Sequence, residues 1–387
     1  NWFLDMAEAN GANCMVTVGS NSTVHPEIAC YHFMSGGPIF EEHTMADFVE
    51  YMFEAEALKA GAEFVYEMPA VQLVQDEAGK VTGAICQNKS GEYVQYNASK
   101  GVVLATGDIS YNDEYIDAFA PVANRVFTRL CSDQGNVGDG HNMAAWAGGA
   151  FQEGPWPTMM HPQAAAVFHG PFLFVNPDGK RFMNESGTYE NILHADEFQK
   201  GHCHYTLFDS NWVQYAEQFK MHGCSRMFPF ENGADPNISW KVVKEKMLPG
   251  LIEKGYVVQA DTIEELAQKL GLPAKTLQAT VTRYNELAKS GNDVDYGKEP
   301  HRLTPVNKAP FYGAKNTGWM LCTLDGIQID TNMNAIDTEG NPIPGLYVVG
   351  NDSGGYFASE YPNLATGMAC GRTVTFGRLV GLKLAKA

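Results

Sequence analysis

The sequence predicts an α/β protein interrupted by a section of different build, and three observations predict it. Short, wholly apolar runs ending in glycine occur at 101–107 and 343–350, as expected of strands buried inside a sheet. Helical patterns follow them, at 141–148 and from near Gly367 through Leu379. Between these pieces, from about His161 to Pro310, the chain is turn-rich and carries a helical pair of its own.

Composition sets the outer limits. The 387 residues are 44% hydrophobic and 19% charged, enough for one large or two medium cores, which excludes a disordered or coiled-coil chain. A net charge of −18 repels phosphate backbones, so nucleic acid is excluded as a partner. No run approaches the roughly 20 apolar residues of a membrane span. The eight cysteines form no C-x-x-C pair and read as reduced, mostly buried thiols. They imply a reducing, cytoplasmic setting. The N-terminus lacks an initiator Met, which suggests a fragment and leaves periplasmic export open.

Taken in order, Thr44–Ala60 shows apolar residues at helical spacing, with Thr44 as its cap and Gly61 as its stop. Alternating runs at 63–66, 70–75, 81–87 and 92–97 then predict an antiparallel meander of three or four strands. After the apolar strand at 101–107, Gly138-Asp139-Gly140 opens a helix whose free N–H groups can face an anion. In the middle section, Pro177-Asp178-Gly179 marks a turn, and Thr262-Ile263-Glu264-Glu265 is a capping box for a helix ended by Gly271. A second helix is predicted over 274–289. His202-Cys203-His204 is not a metal site, because in an extended segment Cys203 points away from both histidines; no metal is expected. Arg181 and Glu185 are spaced to form a buried pair.

The order of several motifs resembles one family. These are Val102-Val103-Leu104-Ala105-Thr106-Gly107, Gly138-Asp139-Gly140, Met160-His161-Pro162, the run from Val175 to Arg181-Phe182-x-Asn184-Glu185, Thr282-Arg283-Tyr284-Asn285-Glu286, Pro310-Phe311-Tyr312, and Pro344-Gly345-Leu346-Tyr347 through Phe376-Gly377-Arg378. They resemble the FAD-binding flavoproteins of the fumarate reductase, succinate dehydrogenase and 3-ketosteroid dehydrogenase family. The resemblance implies an FAD-binding Rossmann-like domain with an inserted α+β capping domain. The expected division is 1–160 for the FAD-binding domain, 161–305 for the capping domain that clamps substrate, and 306–387 for the return to the FAD-binding domain. That family opens with a strand, a G-x-G-x-x-G turn and a helix. This sequence contains no such unit, so the resemblance implies truncation, with the ADP-binding half upstream of Asn1.

The resemblance also implies site residues. The cofactor set is Val71, Ala105, Thr106, Gly107, Asp139, Gly350, Asn351, Met368 and Ala369. Where the fumarate branch places its cations, this chain has Tyr189, Cys322 and Leu364, which would leave a dicarboxylate without partners. Gly350-Asn351 and Tyr361-Pro362 resemble the ketosteroid branch instead. That branch implies a substrate carbonyl held by the Tyr361 hydroxyl and the Gly367 N–H, a proton exchanged by Tyr189, and His161 facing the substrate. The implied reaction moves a hydride between flavin N5 and the C=C bond of an α,β-unsaturated carbonyl compound, with an unidentified electron donor or acceptor. Two alternatives stay open. One is a reductase of an unsaturated organic acid, for which Arg125, Arg129 and Arg226 are the unassigned cations; the other is an inactive truncated flavoprotein.

Overall fold

The computed structural model describes residues 2–10, 13–18, 29–34, 45–129, 135–163, 171–219, 243–362 and 367–386. The chain divides into two units, one of Asn1–Glu63, Pro162–Gly318 and Asn363–Thr366, the other of Phe64–His161, Trp319–Pro362 and Gly367–Ala387. Within the first unit the middle section runs on to Gly318. The reason is the strand Phe311–Thr323, whose first half hydrogen-bonds to Cys203–Asp209 on one side and to Val258–Ala260 on the other.

In the first unit, four strands of one sheet run in the order Val258–Ala260, Phe311–Thr323, Cys203–Asp209, Leu173–Val175. Side chains alternate across a strand, and the two faces bury different cores. Leu173, Val175 and Leu207 pack under Leu266, Leu277, Val281 and Tyr284 of the helical pair. Phe172, Phe208 and Tyr312 pack with Trp212 and Phe219. The pair itself is Ile263–Leu270 and Ala274–Ser290. Thr262 Oγ1 accepts from the Glu265 N–H at 3.1 Å, while Glu265 reaches back to the Asp261 N–H at 3.0 Å, one residue earlier than a standard capping box. Gly271 closes the helix at φ 71°. The turn at 177–179 is held by the Asn176 side chain, which accepts from the Asp178 and Lys180 N–H groups.

A buried ion network ties this unit together. Arg181 forks onto Glu185 with two bonds of 2.8 Å and onto Asp293 at 2.9 and 2.6 Å. Lys298 Nζ lies 3.2 Å from Glu185 and donates to the Tyr284 hydroxyl. Burial lowers the Lys298 pKa to about 8. Burial alone would raise Glu185, yet the two cations outweigh it and leave the carboxyl below its ordinary value.

In the second unit, Val102–Leu104 pairs in parallel with Pro342–Val348, and Asn334–Ile336 adds antiparallel on the other side. Leu104, Met143, Ile327, Leu346 and Val348 form the core. Among the described residues Val102–Leu104 lies at the edge of its sheet, so Val103 stands 38% exposed rather than buried on both faces. The meander has three strands, Ala70–Gln75, Val81–Gln87 and Tyr93–Asn97. The fourth expected strand, 63–66, does not form: the chain turns at Glu67, whose φ is 58°, and Phe64, Val65 and Tyr66 stand exposed. Every residue of Tyr93–Asn97 is exposed, and that strand sits at the end of its sheet. In the first unit, the helix Met45–Lys59 forms as expected, while its Thr44 cap lies outside the described residues. The last helix, Met368–Lys386, runs beyond Leu379.

Candidate functional site

The strands Val102–Leu104 and Pro342–Val348 run side by side in the same direction, so their C-terminal ends open together. In parallel sheets this is where ligands bind. Two turns meet there. Asp352, fully buried on the second, accepts hydrogen bonds from the N–H and hydroxyl of Thr106 and from the Gly107 N–H. The Gly140 N–H in turn donates to Thr106 Oγ1 at 3.1 Å. Gly140 has no room for a Cβ, because one would strike Thr106 Oγ1 and Asp352. Thr106 and Gly107 therefore direct their donors to Asp352.

Beneath this clasp lies His141, fully buried, with Nδ1 3.4 Å from Asp352 Oδ1. Burial lowers its pKa to about 4 and raises that of Asp352 to about 7 against the pull of its donors. Nearby, Asp325 accepts from the Gly355 N–H at 2.8 Å and is raised by burial to about 6.

The last helix contributes a cation. Arg372 is 2% exposed and donates to the Leu324 carbonyl at 3.2 Å, the Ser353 carbonyl at 3.3 Å and Asn351 Oδ1 at 2.9 Å. Its guanidinium lies over the rings of Phe357 and Tyr356, at 5.1 and 5.7 Å. Next to it, Leu324, Phe357, Tyr361 and Ala369 form a buried cluster, joined by Met159, Cys322 and Met368.

The expected site residues fall at several places in the two units. Ala105, Thr106, Gly107, Gly350 and Asn351 lie on the two turns, and Tyr361, Met368 and Ala369 meet in the apolar cluster. Gly367 precedes the last helix with φ 84° and open space over its Cα. Asp139 is exposed at the first position of Asp139–Trp146, Val71 lies where the meander's register shifts, and His161 is half-buried in Thr158–Gln163. Tyr189 belongs to the first unit, where it is buried against Phe174 and Ile192 at the start of Tyr189–Glu197. Leu364, Arg226 and the side chains of Arg125 and Arg129 lie outside the described residues.

Sequence reasoning missed Asp352, His141 and Arg372. Arg372 left a readable signal: with Ala369, Phe376 and Val380 it occupies one stripe of the helix, a charge on an apolar face. Asp352 left none, since an Asp after Gly-Asn is ordinary turn chemistry.

Parallel strands opening on glycine turns, followed by a helix, define a nucleotide-cofactor-binding α/β unit. More particularly, residues 25–363 match the FAD binding domain family, and the chain belongs to it. FAD is the cofactor of that family, and the residues present suit it. Asn351 Nδ2 has no protein partner among the described residues, leaving a donor for an oxygen-rich ligand, and a Cβ built on Gly367 would meet open space. The chain is 26% identical over 353 residues to a vinyl phenol reductase of Lactiplantibacillus plantarum, covering 85% of this chain and 69% of that protein. It is 30% identical over 323 residues to an NADH:acrylate oxidoreductase of Vibrio harveyi, covering 81% and 29%. A 3-ketosteroid-Δ4-(5α)-dehydrogenase structure from Rhodococcus jostii RHA1 superposes with a TM-score of 0.65 at 25% identity, covering 90% of this chain and 65% of that one. The chain thus spans only part of these proteins. No helix among the described residues is long and apolar enough to cross a membrane.

Proposed function

We propose that the protein is an FAD-dependent oxidoreductase moving a hydride to or from the C=C bond of a neutral α,β-unsaturated carbonyl compound, such as a ketosteroid or another enone. The observation that carries this reading is the uncharged cluster of Leu324, Phe357, Tyr361 and Ala369 beside the FAD-side turns. The cluster is buried, and a substrate admitted beside these turns would meet uncharged side chains, which suit an apolar compound and offer a dicarboxylate no partner. The neighbouring cation is already engaged, since Arg372 donates to two carbonyls and to Asn351. Relatives named for vinyl phenol and acrylate reduction, and a ketosteroid dehydrogenase of the same fold, support chemistry at a C=C bond.

FAD supplies the hydride acceptor or donor when bound. The chain's own groups manage the charge that hydride movement creates at the carbonyl oxygen. The Tyr361 hydroxyl and the Gly367 N–H are the donors assigned to that oxygen. Tyr189 is assigned the proton at the α-carbon, on the resemblance to the ketosteroid branch. An unidentified electron partner completes the cycle.

The test is anaerobic stopped-flow reoxidation of the reduced, FAD-loaded protein by an enone, acrylate and fumarate. The enone is expected to react fastest, and Tyr361→Phe to slow it roughly 10²- to 10³-fold, the usual effect of losing one oxyanion donor. Faster reaction with fumarate than with any enone would refute the neutral-substrate reading.

A further inference from the structure

We propose that Arg372 is a positioning residue that fixes the side-chain amide of Asn351 with its oxygen inward and its NH2 outward, so that this turn can only donate to an oxygen of FAD. A free asparagine amide can present either end to a ligand, because its two halves have the same shape and opposite hydrogen-bonding character. Here one end is assigned. Arg372 Nη2 donates to Asn351 Oδ1 at 2.9 Å, and an arginine offers donors only, so the amide cannot flip without facing N–H against N–H.

Three features hold the arginine in that role. Nη1 is tied to the carbonyls of Leu324 and Ser353, which fixes the plane of the guanidinium. The rings of Phe357 and Tyr356 lie against it. Its helix, Met368–Lys386, brings the side chain up from below the turn, so Arg372 itself is 2% exposed while Asn351 is only half-buried. Asn351 Nδ2 has no partner among the described residues. The group it meets must therefore accept a hydrogen bond, as FAD hydroxyl, carbonyl and phosphate oxygens do.

The arrangement also leaves charge to be balanced. Arg372 has no carboxylate within ion-pair distance among the described residues, and its Nε is buried without a partner. Asp325 is near enough to favour the charged guanidinium, yet burial still lowers the Arg372 pKa. A cation under the turn strengthens the donor it holds, since the polarised amide places more positive character on Nδ2.

The inference rests on FAD being the cofactor and not on the choice of substrate, so it is tested by binding. FAD dissociation constants are measured by flavin fluorescence for the wild type, Asn351→Asp, Asn351→Ala, Arg372→Met, Arg372→Lys and the Asn351→Ala/Arg372→Met pair, with urea unfolding of each FAD-free protein as the control for folding. Asn351→Asp keeps an acceptor for Arg372 and loses the outward donor; it should unfold no more easily than wild type and bind FAD roughly tenfold more weakly. Arg372→Met should weaken FAD similarly, and the double variant should lose no more than Asn351→Ala alone, the signature of residues acting as one unit. Arg372→Lys keeps the charge without the fork and should resemble Arg372→Met. Wild-type FAD affinity in Asn351→Asp or in Arg372→Lys, or additive losses in the double variant, would overturn the assignment. Asn351→Asp decides the matter even where an arginine variant fails to fold.

Discussion

Arg181 and Arg372 are both buried arginines, yet the first meets two carboxylates and the second meets none within ion-pair distance among the described residues. Burial works against both charges. For Arg181, Glu185 and Asp293 more than offset it and the pKa is raised; for Arg372, with carbonyls and one amide as partners, burial prevails and the pKa is lowered. The contrast separates two uses of a buried charge. A cation with four hydrogen bonds to opposite charge locks a scaffold, as Arg181 does for the first unit. A cation held by neutral groups polarises the groups it holds, and Arg372 holds Asn351, the residue we assign to FAD.

The widest break in this comparison should come from Arg181→Met. It leaves Glu185 and Asp293 buried with only Lys298 near them, and removing one partner of a buried ion pair costs about 3–5 kcal/mol. Urea unfolding of the FAD-free protein measures it; a loss below about 1 kcal/mol would mean that Arg181 behaves like a surface pair. Arg372→Met should cost less, about 1–3 kcal/mol, because it orphans neutral acceptors rather than charges. An equal or larger loss would erase the distinction between the two sites.

The smallest effect is a pH dependence at His141 and Asp352. Between about pH 4 and 7, folded Asp352 keeps a proton that the unfolded chain has released, so its contribution to stability falls as pH rises. His141 acts in the opposite sense: between its folded pKa of about 4 and its ordinary 6.5, the unfolded chain binds a proton that the folded state refuses, and stability rises with pH. The two slopes oppose each other over most of that window. In His141→Gln the Asp352 slope stands alone, so the variant should lose stability relative to wild type as pH rises from 4 to 6.5. Parallel urea midpoints for the two proteins across that range would show that the pair does not titrate as described.

Much of the fold was legible because helices announce themselves by period and caps. Thr262, Glu265 and Gly271 bounded their helix, and the acid missed its expected partner by one residue only. The strands were harder. Phe64–Tyr66 has the composition of a strand, but composition does not reveal the left-handed Glu67 that turns the chain away from a partner. Val103 looked buried because its neighbours are apolar, while exposure depends on which strands lie alongside. The glycine turns at Gly107 and Gly350, and Gly367 ahead of the last helix, were readable in the sequence as backbone features. The groups that organise them were not: Asp352 gathers donors from a turn about 250 residues earlier in the chain, a pairing that only the parallel register of Val102–Leu104 and Pro342–Val348 creates.

The strand Tyr93–Asn97 has a consequence for handling the protein in solution. Its sequence, Tyr-Val-Gln-Tyr-Asn, contains no charge and no proline, and it pairs on one side only among the described residues. Its outer rim is therefore a row of idle N–H and C=O groups bordered by two tyrosines, the kind of template on which a second extended chain can add itself. Lysines or a bulge usually guard such a rim, and the strand itself carries neither. The overall charge of −18 opposes such pairing at long range, and salt that screens this charge would weaken the opposition.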